Sequence, residues 1–198
     1  KYLTFSSDAL LINNRKYHRE LAEIIAAEMS KLCPVSAKEL VLVAGLGNRL
    51  ATPDAMGPRI TEKIIATRHL HGRVPEEILS GVRPVATIAP GVLGITGIET
   101  AEMLKATIDL IHPAMLIVCD ALAAGDVSRI GTTIQIADTG INPGSGLGNE
   151  RTAINQSTMG IPTLAVGVPT VVSGMVIAHN ILDNFLEELE QSTALDNV

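Results

Sequence analysis

The sequence predicts an α/β fold, a single-domain three-layer sandwich in which a mostly parallel, mixed sheet lies between helices. Short apolar runs alternate along the chain with longer segments of helical spacing, as in proteins built from strand and helix units. Hydrophobic residues make up 46% of the chain, but aromatic residues only 2%, so the core is expected to be aliphatic. A length of 198 residues suits one well-filled core, and we predict one domain over residues 1–198.

The first part of the chain is expected to form strand, helix, strand and helix. Residues 2–5 resemble a short strand, and residues 15–32 carry apolar side chains at helical spacing up to a proline two residues later. Residues 40–46 are an almost uninterrupted apolar run, which is typical of a buried parallel strand. The next helix is expected at 58–70, with a proline at its start and basic residues in its last turn.

The alternation continues to the end of the sequence. Apolar runs predict strands at 84–88 and 114–119, with a helix at 97–112 between them. Residues 133–137 alternate like a half-exposed strand, and a short apolar strand is expected at 163–167. A closing helix with an acidic end is predicted for residues 171–190.

The composition excludes several classes of function. A formal net charge of −6, with few clustered basic residues, argues against a nucleic-acid partner. The two cysteines, Cys33 and Cys119, are far apart and form no CxxC pair, so neither a disulfide framework nor a zinc cluster is expected. No apolar run reaches the roughly 18 residues of a membrane span, and we expect a cytoplasmic protein without a membrane partner.

Two segments each place an aspartate just beyond a predicted strand. The GLGN turn at 45–48 leads into the TPDAMGP segment, which holds Asp54, and the apolar run at 115–119 ends on Asp120. Because the carboxyl ends of parallel strands meet in one crevice, both carboxylates are candidates for one acid/base site. Each aspartate has an ordinary alternative, since Asp54 could cap the following helix and Asp120 could cap a turn at 121–124.

Further candidates for a supporting role lie in the loops. Asn48 ends the GLGN turn, and Asp138 is a third carboxylate that follows a predicted strand. The loops at 89–94 and 138–149 are rich in glycine, so their backbone can approach a ligand closely. Backbone N–H groups near Gly91 and Gly144 could therefore bind a developing oxyanion.

Other chemistries have weaker sequence support. The segment after Gly45 begins like a dinucleotide fingerprint but has Leu50 at the third glycine position. No GxSxG segment surrounds Ser145, and Cys119 lies inside an apolar run, where it is expected to be a small buried hydrophobe. His69 and His71 could bind a metal, but the end of a helix favours a capping role for them.

Seven ordered blocks between residues 40 and 183 carry a resemblance to a known family. They are GLGN, TPDAMGP, TEKIIATRHL, IAPGVLGITGIETAE, CDALAA, TTIQIADTGINPGSGLGN and GIPTLAVGVPTVV. Together they resemble the germination proteases, the endopeptidases of bacterial spores. The match of seven blocks in order is far more specific than any one of them.

The resemblance implies an endopeptidase that degrades small acid-soluble spore proteins during germination, located in the spore core. It implies a homotetramer that is made as a zymogen. We expect no cofactor. The family is grouped with aspartic peptidases, and its two aspartates match Asp54 and Asp120. Its fold is similar to that of hydrogenase maturation proteases.

Two alternatives follow from the same resemblance. In hydrogenase maturation proteases the matching acidic pair, with a histidine, can hold a metal, so the chain could be a metal-linked maturation protease with Asp54 and Asp120 as metal ligands. The chain could also be a catalytically silent spore protein that keeps the fold as a binding module. The chain differs from the family pattern in two ways. Asn142 stands where the family's glycine loop has histidine, and the familiar members continue beyond both ends of this chain.

Overall fold

The computed structural model describes residues 1–12, 14–145 and 151–195, with side chains up to residue 186. One six-stranded sheet organises this part of the chain, in the order β1-β5-β6-β4-β2-β3. The strands are β1 (Tyr2–Ser6), β2 (Val41–Gly45), β3 (Val85–Ile88), β4 (Met115–Ala124), β5 (Thr133–Ala137) and β6 (Thr163–Val172). Among these strands only β5 runs opposite to the others, so the predicted mostly parallel, mixed sheet is confirmed.

Helices cover both faces of the sheet. The helices are α1 (Arg15–Leu32), α2 (Met56–Lys63), α3 (Leu93–Thr96), α4 (Thr100–Ile111), α5 (Gln156–Met159) and α6 (Gly174–Leu195), of which α1, α2, α4 and α5 pack on the sheet. Short 3₁₀ turns occur at Asp8–Leu10, Thr52–Asp54, Arg68–Leu70 and Val127–Arg129. In the described residues, no helix combines the length and the apolar character needed to cross a membrane.

The core has two halves, one on each face of the sheet. Leu42 and Ala44 of β2 point to one face, where they pack with Leu104 of α4 and Met159 of α5. Alternate residues of the same strand point to the other face, where α1 and α2 pack. This arrangement confirms the predicted three layers of helix, sheet and helix.

The predicted helix at 58–70 is wrong in its second half. α2 ends at Lys63, and the chain then becomes extended and reaches the edge of the sheet. There the backbone N–H of Thr67 donates to the carbonyl of Val85 at 2.9 Å, and its Oγ1 accepts from the N–H of Val85 at 2.9 Å. Hydrogen bonds to β3 therefore replace two further helical turns, and His69 lies in a short 3₁₀ turn rather than at a helix end.

Strands β4 and β6 each continue five residues beyond their predicted ends at 119 and 167. The sequence hides this extension because Asp120 interrupts one apolar run and Pro169 interrupts the other. In the structure the two extensions pair with each other, past the end of β2. The helix predicted from residue 171 accordingly begins only at Gly174.

The helix predicted at 97–112 also begins later, at Thr100. Gly97 has a φ of +72° and ends the short helix α3, which the sequence analysis did not predict. The helix α5 was also missed. It has four residues and is held by a capping box in which the Asn155 side chain accepts from the N–H groups of Ser157 and Thr158.

Candidate active site

A cavity of about 430 Å³ opens where β4 extends beyond the end of β2. Asp54 and Asp120 both line it, as do Leu46 and Gly47 from the turn after β2. The two carboxyl groups that the sequence analysis paired thus face one cavity at the carboxyl ends of parallel strands. This is where ligands bind in open α/β sheets.

The GLGN turn holds Asp54 in place. Asp54 is the last residue of the 3₁₀ turn Thr52–Asp54, and its Oδ2 accepts a hydrogen bond from the backbone N–H of Asn48 at 2.7 Å. Gly47 has a φ of +111°, and a Cβ there would lie 2.1 Å from the Asp54 carbonyl oxygen and 2.8 Å from its Oδ1. Because only glycine tolerates this approach, the turn and the carboxyl group form one unit.

Asp54 does not cap α2. The N-cap of that helix is Ala55, which makes no side-chain capping bond. The start of α2 instead packs tightly onto the strand ends, since a Cβ on Gly57 would lie 2.2 Å from the Leu46 carbonyl oxygen and 2.6 Å from that of Cys119. This close contact places the loop with Asp54 near the segment of β4 that contains Asp120.

Asp120 lies inside β4 and is only 8% exposed. Burial raises the pKa of its carboxyl group to about 7; the hydrogen bond from the N–H of Ala121 at 2.9 Å acts in the opposite direction, and the charge of Asp54 raises the pKa further. The predicted alternative of a capped turn at 121–124 is wrong, because these residues are part of the strand. Asp120 is therefore a buried acid that is largely protonated below neutral pH.

Cys119, the preceding residue, is not available as a nucleophile. Its side chain points into the core on the face of α1 and α2. Burial raises the pKa of its thiol to about 11, and the adjacent Asp120 carboxylate contributes in the same direction. A thiol with this pKa carries little thiolate at neutral pH, so Cys119 acts as a small buried hydrophobe.

Thr170 belongs to the site and was missed by the sequence analysis. Leu122 pairs with Pro169 while Ala123 pairs with Val171, so Thr170 is the extra residue of a β-bulge in β6. Its Oγ1 donates to the carbonyl oxygen of Pro53 at 2.7 Å, which ties the residue before Asp54 to the β4–β6 pair. Bulges often redirect a side chain beside an active site, and the proline inside this strand was the available sequence signal.

Arg151 is a second residue that the sequence analysis missed. It lines the cavity, and its Nη1 donates to Glu99 Oε1 at 3.2 Å with both side chains about one-third exposed or less. The two residues are 52 positions apart, and no local pattern connects them. Their contact joins the end of the glycine-rich loop to the start of α4.

The supporting residues named from sequence are distributed unevenly around the cavity. Gly144 lines it, whereas Gly91 does not, although the next two residues do. Asn48 contributes its backbone N–H to Asp54, while its side chain accepts from the N–H of Leu50 at 2.9 Å. Residues 146–149 of the predicted glycine loop lie outside the described residues.

Asp138 does not line the cavity. It follows β5, which runs antiparallel to β6, so the carboxyl end of β5 lies beside the amino end of β6 and away from the cavity. Carboxyl groups at strand ends meet only where the neighbouring strands are parallel. The direction of β5 depends on how the whole sheet pairs, so the sequence pattern did not predict it. We leave Asp138 out of the proposed site.

A metal-binding interpretation needs more ligands than the described residues supply. Catalytic metal sites commonly use three protein ligands, and the described lining of the cavity presents two carboxyl groups. Within residues 1–12, 14–145 and 151–195, no group of three or more His, Cys, Asp or Glu side chains is placed to hold a metal ion. The described residues therefore supply too few ligands for the metal site of the alternative interpretation, and no step of the mechanism proposed below involves a metal.

A buried protonatable acid and a second carboxyl group in one cavity define the class of site that can activate water by acid/base chemistry. Comparison with known proteins then gives the family. The sequence model of the germination protease family matches residues 1–197, and the chain belongs to that family. The resemblance stated from the seven sequence blocks is confirmed.

Curated relatives named germination protease agree with this assignment. The relative from Caldanaerobacter subterraneus subsp. tengcongensis is 43% identical over 197 residues, which is 100% of this chain and 61% of the relative. Those from Clostridium tetani and Bacillus subtilis are 44% and 43% identical, covering 95% and 94% of this chain but 58% and 52% of their own lengths. The chain therefore spans between half and two thirds of these relatives.

Among solved structures, the chain is similar to a NiFe hydrogenase maturation protease from Thermococcus kodakarensis. The TM-score is 0.44 with 19% sequence identity, and the match covers 71% of this chain and 85% of that one.

Proposed function

We propose that this chain is the catalytic part of an endopeptidase that degrades small acid-soluble spore proteins during germination. The observation that carries the proposal is the buried carboxyl group of Asp120, with a pKa raised to about 7, in one cavity with Asp54. Family membership supports a peptidase as the class of enzyme. The family resemblance further supports synthesis as a zymogen, assembly as a homotetramer and a location in the spore core.

The different surroundings of the two carboxyl groups suggest separate roles for them. Asp120 is buried and holds its proton, so it is the general acid that donates to the carbonyl oxygen of the scissile peptide bond. Asp54 is half-buried and accepts a hydrogen bond from the N–H of Asn48. It is the carboxylate that takes a proton from the attacking water.

In the first step, the water oxygen bonds to the carbonyl carbon while Asp54 takes one water proton. Asp120 gives its proton to the carbonyl oxygen, and a neutral tetrahedral diol forms. In the second step, Asp54 returns its proton to the leaving nitrogen and Asp120 takes a proton from one diol hydroxyl. The carbon–nitrogen bond then breaks, a carboxylic acid and an amine leave, and both aspartates regain their starting states.

Neighbouring groups support this chemistry. Backbone N–H groups around Gly144, which lines the cavity, are candidate donors to the carbonyl oxygen as its charge develops. The hydrogen bond from Thr170 to the carbonyl of Pro53 holds the Asp54 loop against β6. The acid and the base come from different elements, and this hydrogen bond helps to hold the base in position.

The test is cleavage of a purified small acid-soluble spore protein by the Asp54→Asn and Asp120→Asn variants. Each is expected to lower kcat at least about a hundredfold with the fold unchanged by circular dichroism, since each carboxyl group takes part in both proton transfers. Asp126→Asn is the matched control, because Asp126 is a partly exposed acid outside the cavity whose capping role an asparagine can keep. Activity close to that of the parent in either cavity variant, or loss of activity with a chelator, would overturn the mechanism.

A further inference from the structure

The edge of β4 next to the cavity is open. β2 ends at Gly45, which pairs with Cys119, while β4 continues through residues 120–124. In the part of the chain that the structure describes, this extension pairs with β6 along one edge and with no strand along the other. A strand edge without a neighbour carries backbone donors and acceptors that can pair with another chain.

The open edge faces the cavity. Successive residues of a parallel strand direct their N–H and C=O groups alternately to the two neighbouring strands. The carbonyl of Cys119 accepts from the N–H of Leu46 at 2.8 Å, so Cys119 faces the β2 side, and Ala121, two residues further on, faces the same side. Ala121, Leu122 and Ala123 all line the cavity and are partly exposed.

We infer that the peptide substrate binds as an added β-strand along the open edge at residues 120–123, in the place that β2 would occupy if it continued. This inference rests on the proposed function, because it names the conformation in which that same cavity takes its substrate. Four residues at 3.3 Å each give the edge a length of roughly 13 Å, enough for about four extended substrate residues. Addition of a strand to a sheet edge is a common way to bind a peptide through its main chain.

The position of the edge relative to the acids supports this orientation. Asp120 is the first residue of the extension, and the N–H of Ala121 already donates to its Oδ1 at 2.9 Å. The carbonyl of Ala121 faces the open edge, so a substrate N–H that donates to it lies within one residue of the buried carboxyl group. The loop with Pro53 and Asp54 lines the same cavity, so a strand added at this edge comes within reach of both the acid and the base.

Recognition through the main chain has a consequence for the substrate. It requires a segment that is extended and whose backbone groups are not already paired. A stable helix or a paired strand would have to open before it could bind. A folded protein is therefore expected to resist cleavage at a sequence that is cleaved in an unfolded segment.

The test is N-methyl scanning of a synthetic peptide that spans one cleavage site of a small acid-soluble spore protein, used with the unaltered chain. N-methylation removes one backbone donor at a time without changing the side chains. Because only every second residue of a strand faces its neighbour, KM is expected to rise about three- to tenfold at alternate positions and to stay near the parent value between them. The unaffected positions serve as matched controls for the methyl group itself.

A second measurement locates the bound peptide. A peptide whose scissile bond is reduced to CH2–NH cannot be hydrolysed, and its binding is expected to slow amide hydrogen exchange in residues 121–123 more than in β3, the far edge of the sheet. Equal sensitivity at all positions, no sensitivity at any, or no slowing in residues 121–123 would overturn the inference. Failure to cleave the unmethylated peptide would contradict the proposed function, while the exchange measurement would still decide where the peptide binds.

Discussion

At the scale of single residues, the central feature is the contrast between two carboxyl groups in one cavity. Asp120 is buried in a strand, and its pKa is raised to about 7, first by burial and also by the charge of Asp54. Asp54 is half-buried in a turn and accepts a backbone hydrogen bond. A buried acid beside a more exposed carboxylate is a common arrangement for paired acid and base catalysis near neutral pH.

This contrast predicts the pH dependence of cleavage. Asp120 acts as an acid only while it is protonated, so kcat/KM is expected to fall as the pH rises through about 7. Measured between pH 5 and 9, the rate should decrease about tenfold for each pH unit well above the pKa. The Asp126→Asn variant, altered outside the cavity, is expected to give the same profile as the parent chain. A rate that is constant or rising between pH 6 and 9 would contradict the assignment of Asp120 as the acid.

Much of this residue-scale site was predictable from sequence. Asp54 and Asp120 each follow or interrupt an apolar run, and the glycines of the GLGN turn mark a close approach of the backbone. Thr170 and Arg151 were not predictable in the same way. Their partners, Pro53 and Glu99, are 117 and 52 positions away, and such contacts arise from the packing of elements rather than from local pattern.

At the scale of elements, the site depends on the difference in length between β2 and its longer neighbours β4 and β6. Because β2 ends first, Asp120 lies beyond the last residue pair between β2 and β4, and one edge of β4 is open over residues 120–124. The bulge at Thr170 directs a hydroxyl group to the loop that carries Asp54. The two carboxyl groups thus lie on separate elements, and the hydrogen bond from Thr170 joins the Asp54 turn to β6, the strand that pairs with the Asp120 strand.

That connection predicts a difference between two substitutions at Thr170. Thr170→Val keeps the shape but removes the donor to Pro53, and it is expected to lower kcat about ten- to a hundredfold with a smaller change in KM, because small displacements of a catalytic group are costly. Thr170→Ser keeps the hydroxyl group and should retain most of the rate.

The matched control is Thr107→Val on α4, where the lost hydroxyl group donates to the Met103 carbonyl at 2.8 Å, away from the cavity. It is expected to cleave at the parent rate. Equal losses in the valine and serine variants of Thr170, or no loss in either, would show that this hydrogen bond does not position Asp54.

Elements were predicted well where local pattern determines them. The bounds of α1 and β5 agree with the sequence prediction, since one is a long helix with apolar spacing and the other an alternating strand. The helix predicted through residue 70 failed because Thr67 pairs with β3 instead. The ends of β4 and β6 were missed because a buried aspartate and a strand proline look like strand ends when neighbours are unknown.

At the scale of the whole molecule, the alternation of strands and helices predicted the α/β class, and the structure confirms it. The order of the strands and the reversed direction of β5 were not predicted, because they depend on pairing between distant segments. That reversal explains why Asp138 lies away from the cavity while Asp54 and Asp120 share it. Topology therefore selects which strand-end carboxyl groups can act together.

The central claim is that Asp54 and Asp120 act as one pair in peptide-bond hydrolysis. The most direct test compares kcat for cleavage of a small acid-soluble spore protein by the double variant Asp54→Asn/Asp120→Asn with kcat for the two single variants. Because each step of the proposed mechanism uses both groups, the double variant is expected to be about as slow as the slower single variant. Losses that multiply, so that the double variant is slower by the product of the two single effects, would show that the aspartates act independently and would contradict the account.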